Sequence, residues 1–284
     1  MSVGFGICTQ NRKALLLQCL DAVWKFAPLG SEIVIGDDCS TDGSPDVVTD
    51  WIAERGIRNT HLIRSPEMAG ISNNKRKIIE RLLSYSVDDV ILIEDDVIPL
   101  VPLWYDTFIQ TAYRNQEAHL LYMPTERKYG ITNHVTGVPE YPISWKVYCS
   151  GMIMYWRTSL LWEVGNFQPG FKRYGWDHNE MTARCLLAQY RDPGGPYPHC
   201  LAAERDKVVR AMDIEAANTG QNEDSTCGTV QEKMLLANQN KPLYEQLFGT
   251  YRVMYSGMEL KSPEEKLKRR QKFFKVLANQ LASV

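Results

Sequence analysis

The chain has 284 residues, 44% hydrophobic and 23% charged, which is ample for a sizeable core and excludes a disordered or collagen-like polymer. Thirty-two Lys+Arg against 34 Asp+Glu leave a formal charge of −2, so nucleic acid could be engaged only through a local basic patch. That length predicts one α/β domain with an appendage.

The first hundred residues alternate short apolar runs with helical periodicity. Val3–Cys8 reads as a strand, and Ala14, Leu15, Leu17, Leu20, Val23 and Trp24 as the apolar face of a helix. Glu32–Gly36 is a buried-strand pattern that ends in the polar turn 37–43, where Asp42 or Ser44 caps the next helix, Pro45–Arg55. A strand at Thr60–Arg64, a helix from about Ser72 to Ser84 and a strand at Asp89–Ile93 follow. This alternation predicts a mostly parallel sheet covered on both faces, with ligands outside the carboxyl ends of its strands. Asp37-Asp38 and Glu94-Asp95-Asp96 both fall at that edge.

Further along, Glu126–Trp145 lacks periodicity and predicts a long functional loop or small β excursion rather than core. Tyr148–Arg157 reads as a strand interrupted by Gly151, Thr158–Gly165 as a short helix, and the chain from about Gln231 as helical with a basic stretch at 266–275. The longest apolar runs fall far short of the roughly 18 residues of a spanning helix. Nothing at the N-terminus reads as a signal peptide. Seven scattered cysteines without a CxxC pair suit reduced thiols, so a cytoplasmic, membrane-free chain is expected.

Chemistry concentrates in three places. Three carboxylates at a strand end repel one another unless a cation sits there, and hard oxygen ligands suit Mg2+ or Mn2+. An ordinary solvated acidic turn is the competing reading, weakened by the preceding apolar strand. One of Asp37 and Asp38 is spare to accept hydrogen bonds from a base or ribose. The third place is the aromatic-glycine stretch before Asp177, whose acid is either a helix cap or a functional group.

The string IVIGDDCSTDGSPDVV resembles the nucleotide-binding turn of family 2 glycosyltransferases with the GT-A fold. Val3–Arg12 resembles that family's opening strand and loop, Gly70–Arg76 its glycine-led helix start, and ILIEDDVIPL occupies the place of its DxD-type motif. The match is good over the first hundred residues and looser to about 190. It implies a GT-A catalytic domain over 1–215, with a nucleotide-sugar half at 1–100 and an acceptor half at 101–215. A helical extension would fill 216–284.

The implied activity is metal-dependent, inverting transfer of a sugar from a nucleotide-diphosphate donor, a UDP-sugar first, to an acceptor hydroxyl. By position, Thr9 and Asn11 would line the nucleotide pocket, and Asp38 or Asp37 would meet the base or ribose. Lys75 or Arg76 would lie near the diphosphate, and Gly151 would allow backbone approach to the sugar. Asp96 would be the main ligand of Mn2+ or Mg2+, with Asp95 beside it and Glu94 nearer the ribose or sugar. This Glu-Asp-Asp departs from the commoner Asp-x-Asp. Asp177 would be the general base, with His178 and Glu180 as rivals.

The remaining metal ligand would be His199, or less readily His178, because alanine stands where a later histidine is natural. Asp213, Glu215 or water could substitute. The acceptor is open among a glycan, a protein and hydroxymethylated cytosine in viral DNA, the last compatible with the basic tail. Two other classes are a nucleotidyltransferase, whose glycine- and basic-rich first loop Cys8–Arg12 matches poorly, and a non-catalytic nucleotide-sugar binder.

Overall fold

A computed structural model describes residues 1–124, 132–171, 175–189, 191, 195–212 and 230–255. In the first hundred residues strands β1 (Val3–Thr9), β2 (Glu32–Asp37), β3 (Thr60–Arg64) and β4 (Asp89–Glu94) alternate with helices α1 (Lys13–Phe26), α2 (Ser44–Arg55) and α3 (Ile71–Ser84). The four strands are mutually parallel in the order β3-β2-β1-β4. Every residue of β1 is buried, as expected of a strand covered on both faces.

Beyond Asp96 come β5 (Val97–Pro99), α4 (Trp104–Arg114), β6 (His119–Tyr122), β7 (Thr132–Thr136), β8 (Ile143–Lys146), β9 (Ile153–Arg157), α5 (Thr158–Val164) and α6 (Asp177–Ala188). Then follow β10 (Tyr197–Cys200), α7 (Leu201–Arg205), β11 (Val209–Ala211) and α8 (Val230–Tyr255). The sheet continues from β4 through β9, β6, β10, β8 and β7, nine strands in all among the described residues, with β9 antiparallel to both its neighbours. β5 and β11 form a small separate ribbon, and Met212 N–H at its end donates to the Asp96 carbonyl at 2.8 Å.

Two expectations are corrected. The stretch before Trp145 holds a β excursion, but it is not separate from the core: β7 and β8 form a hairpin on the main sheet, and Ile143 and Trp145 are buried in it. The strand expected from Tyr148 begins only at Ile153, so Gly151 lies in the loop before it. α8 packs on α6, with Trp176 stacked on Tyr244 at 4.6 Å between ring centroids and Asn240 Nδ2 donating to the Gly175 carbonyl. The basic stretch at 266–275 lies outside the described residues.

Two glycines set the seat of α3. A Cβ at Gly4 would stand 2.8 Å from Leu82, and one at Gly36 would stand 2.7 Å from Ile78. Their absence lets the helix lie close on β1 and β2, and the Asn74 amide ties it to the Gly36 carbonyl at 2.8 Å. Lys75, one residue on, is thereby brought to the strand ends.

Candidate functional site

Strand register builds the site. Thr9 is level with Asp37, and Cys8 with Glu94, so the first two acidic clusters share one edge of the parallel strands. Asp38 is buried and accepts from Ala69 N–H at 2.7 Å and Gly70 N–H at 2.9 Å, which holds the loop leading into α3. Asp37 accepts from Ser40 N–H through Oδ2, while its buried Oδ1 has no hydrogen-bond partner. Asn11 clasps the same turn: its N–H donates to Ser40 Oγ and its Oδ1 accepts from Thr41 N–H. Asp42 takes the N–H groups of both Ser44 and Lys13, bracing α1 and α2 at their starts.

The carboxylates after β4 are not left to repel. Arg12 donates from Nη1 to Asp95 at 2.8 Å and from Nη2 to Asp96 at 3.0 Å, so one guanidinium spans both acids. Thr9 Oγ1 donates to the other oxygen of Asp95 at 2.6 Å. Burial nevertheless pushes the Asp95 carboxyl up to about 7 against the opposing pull of Arg12. Asp96 keeps one buried oxygen, Oδ1, without a hydrogen-bond partner. An orphaned carboxylate oxygen at a strand end suits a hard divalent cation. Among the described residues no three His, Cys, Asp or Glu side chains converge as a ready-made metal cage. A cation here would complete its shell with phosphate oxygens and water, as Mg2+ commonly does.

From the opposite side, the first residue of α6 faces the same hollow. Asp177 makes no side-chain cap to its helix; its carboxylate meets Lys75 Nζ at 3.2 Å, and the same ammonium lies 3.7 Å from Glu94. Burial raises the Asp177 carboxyl, but Lys75 and the neighbouring His178 outweigh it and hold the group well below the usual range. Lys75 loses ground to burial and regains more from Asp177 and Glu94, so it stays charged. A Cβ at Gly151 would come 3.0 Å from Glu94 Oε1, 3.1 Å from Lys75 Nζ and 3.5 Å from His178 Nδ1. Gly151 thus leaves open a small polar hollow among these three. Glu94, Lys75, Gly151, Asp177 and His178 are therefore brought together, and Thr9, Arg12, Asp95 and Asp96 adjoin them through Glu94 and the turn after β4.

Other candidates fall elsewhere. Arg76 is half-exposed and pairs with Glu80 at 3.0 Å, because one helical step turns it to the outer face of α3; it does not join the hollow. Glu180 is committed to Arg184, at 2.7 and 2.8 Å, and is no free base. His199 is a correction. It lies on β10, three strands from β4, and register puts it level with Leu92 rather than Asp96. That is roughly 14 Å sideways at ordinary strand spacing. Its Nε2 donates to the Tyr148 carbonyl at 3.0 Å, and burial with Lys146 nearby lowers its pKa to about 3. Asp213 and Glu215, next along from the Met212–Asp96 contact, lie outside the described residues. Arg12 was missed as a site residue; the only sequence signal was a basic residue directly after the first strand's polar turn.

Residues 5–162 match the profile of glycosyl transferase family 2. The chain belongs to that family. The family 2 enzyme is thus a glycosyltransferase, and the expected α/β GT-A architecture is the one observed. It resembles the mannosyltransferase PcManGT from Pyrobaculum calidifontis, solved with GDP-Man and Mn2+, at 16% identity and a TM-score of 0.51 over 99% of this chain and 79% of that one. GalNAc-T7 with UDP, GalNAc and Mn2+ gives a TM-score of 0.58 at 12% identity, over 96% and 54% of the two chains. S. aureus TarS 1–349 with UDP-GlcNAc gives 0.53 at 13% identity, over 96% and 79%. A longer TarS chain is matched over only 34% of its length. At such identities the likeness is one of fold. No curated protein matches the glycosyltransferase in sequence. Among its described residues no helix is long and apolar enough to cross a membrane.

Proposed function

We propose that this glycosyltransferase moves a sugar from a nucleotide-diphosphate donor, a UDP-sugar first, to an acceptor hydroxyl with inversion at the anomeric carbon. The reading is carried by one observation: Asp177 and Glu94 face each other across Lys75 at the strand edge that also holds the orphaned Asp96 oxygen. Asp177 is the general base. It takes the acceptor hydroxyl proton as that oxygen bonds to the anomeric carbon and the bond to the nucleoside diphosphate breaks. Displacement from the face opposite the leaving group inverts configuration. Because Lys75 keeps Asp177 ionised, the base is in its proton-accepting form throughout the neutral range.

Asp96 would hold Mn2+ or Mg2+, with Asp95 beside it, and the cation supplies charge neutralisation for the departing diphosphate. The main chain around Thr9, Asn11 and Asp37–Asp38 forms the nucleotide pocket, in which the spare Oδ1 of Asp37 can accept from a base or ribose. Glu94 and Gly151 border the sugar. We assign residues 1–100 to the donor side, 101–215 to the acceptor side and 216–284 to a helical extension. The six described cysteines, all unpaired, agree with a cytoplasmic setting.

A thermal-shift screen of nucleotide sugars with and without Mn2+ tests the reading, since a ligand specific for the folded form raises the melting point. One donor should stand out and require the cation. Asp177→Asn should keep that shift while losing at least about a hundredfold in turnover with glycan, protein or hydroxymethylcytosine-DNA acceptors. An unshifted protein with every donor, or undiminished turnover in the variant, defeats it.

A further inference from the structure

We infer that Arg12 is a tethered cation that occupies the carboxylates of the metal site until a nucleoside diphosphate draws it away. The proposal rests on the reading of Asp96 as the metal ligand and adds a control on that ligand. Its guanidinium fork places one nitrogen on Asp95 and the other on Asp96, at 2.8 and 3.0 Å, and Thr9 closes the remaining oxygen of Asp95. Only Asp96 Oδ1 is left without a hydrogen-bond partner. Arg12 itself is not fully satisfied there: its buried Nε has no partner either. Its side chain is 19% exposed, against 3% and 7% for the two acids it spans, so it is the part of this cluster that solvent reaches most.

Charge decides the behaviour of this arrangement. A divalent ion at Asp96 would sit beside a fixed positive charge that already holds the adjacent oxygen. Metal alone is therefore resisted. A diphosphate supplies new anionic oxygens, and a guanidinium binds phosphate as readily as carboxylate because its planar donors match both. Arg12 can then turn to the diphosphate and surrender Asp96. Binding of metal and nucleotide is thereby coupled, and by linkage each tightens the other.

The test measures Mn2+ directly by the electron paramagnetic resonance signal of the free ion, with UDP as the nucleotide probe. Without UDP, Arg12→Gln should bind Mn2+ about tenfold more tightly than the native protein. With saturating UDP the order should reverse, because the variant has lost a phosphate contact. A residue that merely props the turn would weaken both measurements. Arg12→Lys, a single point charge that can serve only one carboxylate at a time, should fall between. Circular dichroism in metal-free buffer follows folding. If Arg12→Gln melts there and Mn2+ restores it while adding little to the native protein, the exchange of one cation for another is seen directly. Equal or weaker Mn2+ binding by both variants without UDP overturns the proposal. Native protein and Arg12→Gln that both bind no Mn2+, with or without UDP, overturn the metal reading instead.

Discussion

Lys75 is the side chain on which the electrostatics of the hollow turn. It is fully buried, and a lone buried ammonium would shed its proton; Asp177 and Glu94 together prevent this. The same contact makes Asp177 a weak base that is always ionised, whereas burial alone would make it a stronger base that is partly protonated near neutrality. Lys75→Met, close in length and uncharged, should therefore raise the Asp177 pKa. An opposite charge at this range shifts a carboxyl by about 1–3 units, so the acid limb of the kcat/KM profile should move to higher pH by that amount. Because Asp177 is held low in the folded protein, it also contributes stability that is present above its unfolded value near 4 and lost as pH falls below it. The variant should lose that contribution. A pH–rate profile that keeps its acid limb in place would show that Lys75 does not set the base.

At the scale of elements, α3 delivers both Lys75 and the loop that Asp38 clasps, and the glycines beneath it fix its height. Gly36→Ala would drive a Cβ into Ile78 and Asn74. Overpacking of this kind costs about 1–3 kcal/mol, and it should also weaken the UDP-induced thermal shift because the start of α3 is displaced. Gly30→Ala is the contrast: at φ 84° it strains the backbone but has nothing within 4 Å, so UDP binding should be untouched. Equal loss of UDP binding in both would sink the argument. The parallel half was legible because β1, β2 and β4 are mainly apolar runs ended by polar turns, and the helices between them each keep an apolar face. β4 and the acids after it are the clearest case. The far half was less legible for physical reasons. β8 is four residues whose burial comes from pairing with β10 and β7, which no local periodicity records, so the sequence shows at most a small β excursion there and not a strand of the core sheet. Single residues followed the same rule. Asp177 is singled out only through the family resemblance, whereas the sequence cannot show that His199 is already bonded, because its carbonyl partner, Tyr148, lies 51 positions away. Arg12 lies 83 and 84 positions from its acids, and sequence proximity gave no hint of that pairing.

Across the whole molecule, the sheet and α6 are joined by a buried polar chain that also reaches the site. The Tyr155 carbonyl can only accept, so His119 carries its proton on Nδ1 and donates to it at 2.8 Å. His119 Nε2 must then accept from Thr182 on α6 at 3.1 Å, and Thr182 in turn takes the Cys149 thiol at 3.4 Å. The imidazole is fully buried and stacked on Trp156, and burial lowers its pKa to about 4. The sign follows from linkage. The unfolded chain takes up a proton near pH 6.5 and the folded chain does not, so this histidine's contribution is complete above that value and declines as pH falls toward 4. At pH 5 the loss is roughly 2 kcal/mol. Asp95, Asp89 and Glu117 act oppositely, because burial raises their pKa values and the folded chain then binds protons first. The effect must therefore be read as a difference. His119→Asn keeps a donor for Tyr155 and cannot titrate. The stability gap between native protein and variant, measured by urea unfolding, should shrink by roughly 2 kcal/mol between pH 7 and pH 5. Protonation of His119 would also remove the acceptor that Thr182 needs and loosen α6 where it presents Asp177. A gap that stays constant over that range would mean that the imidazole titrates in the folded protein as it does in the unfolded chain.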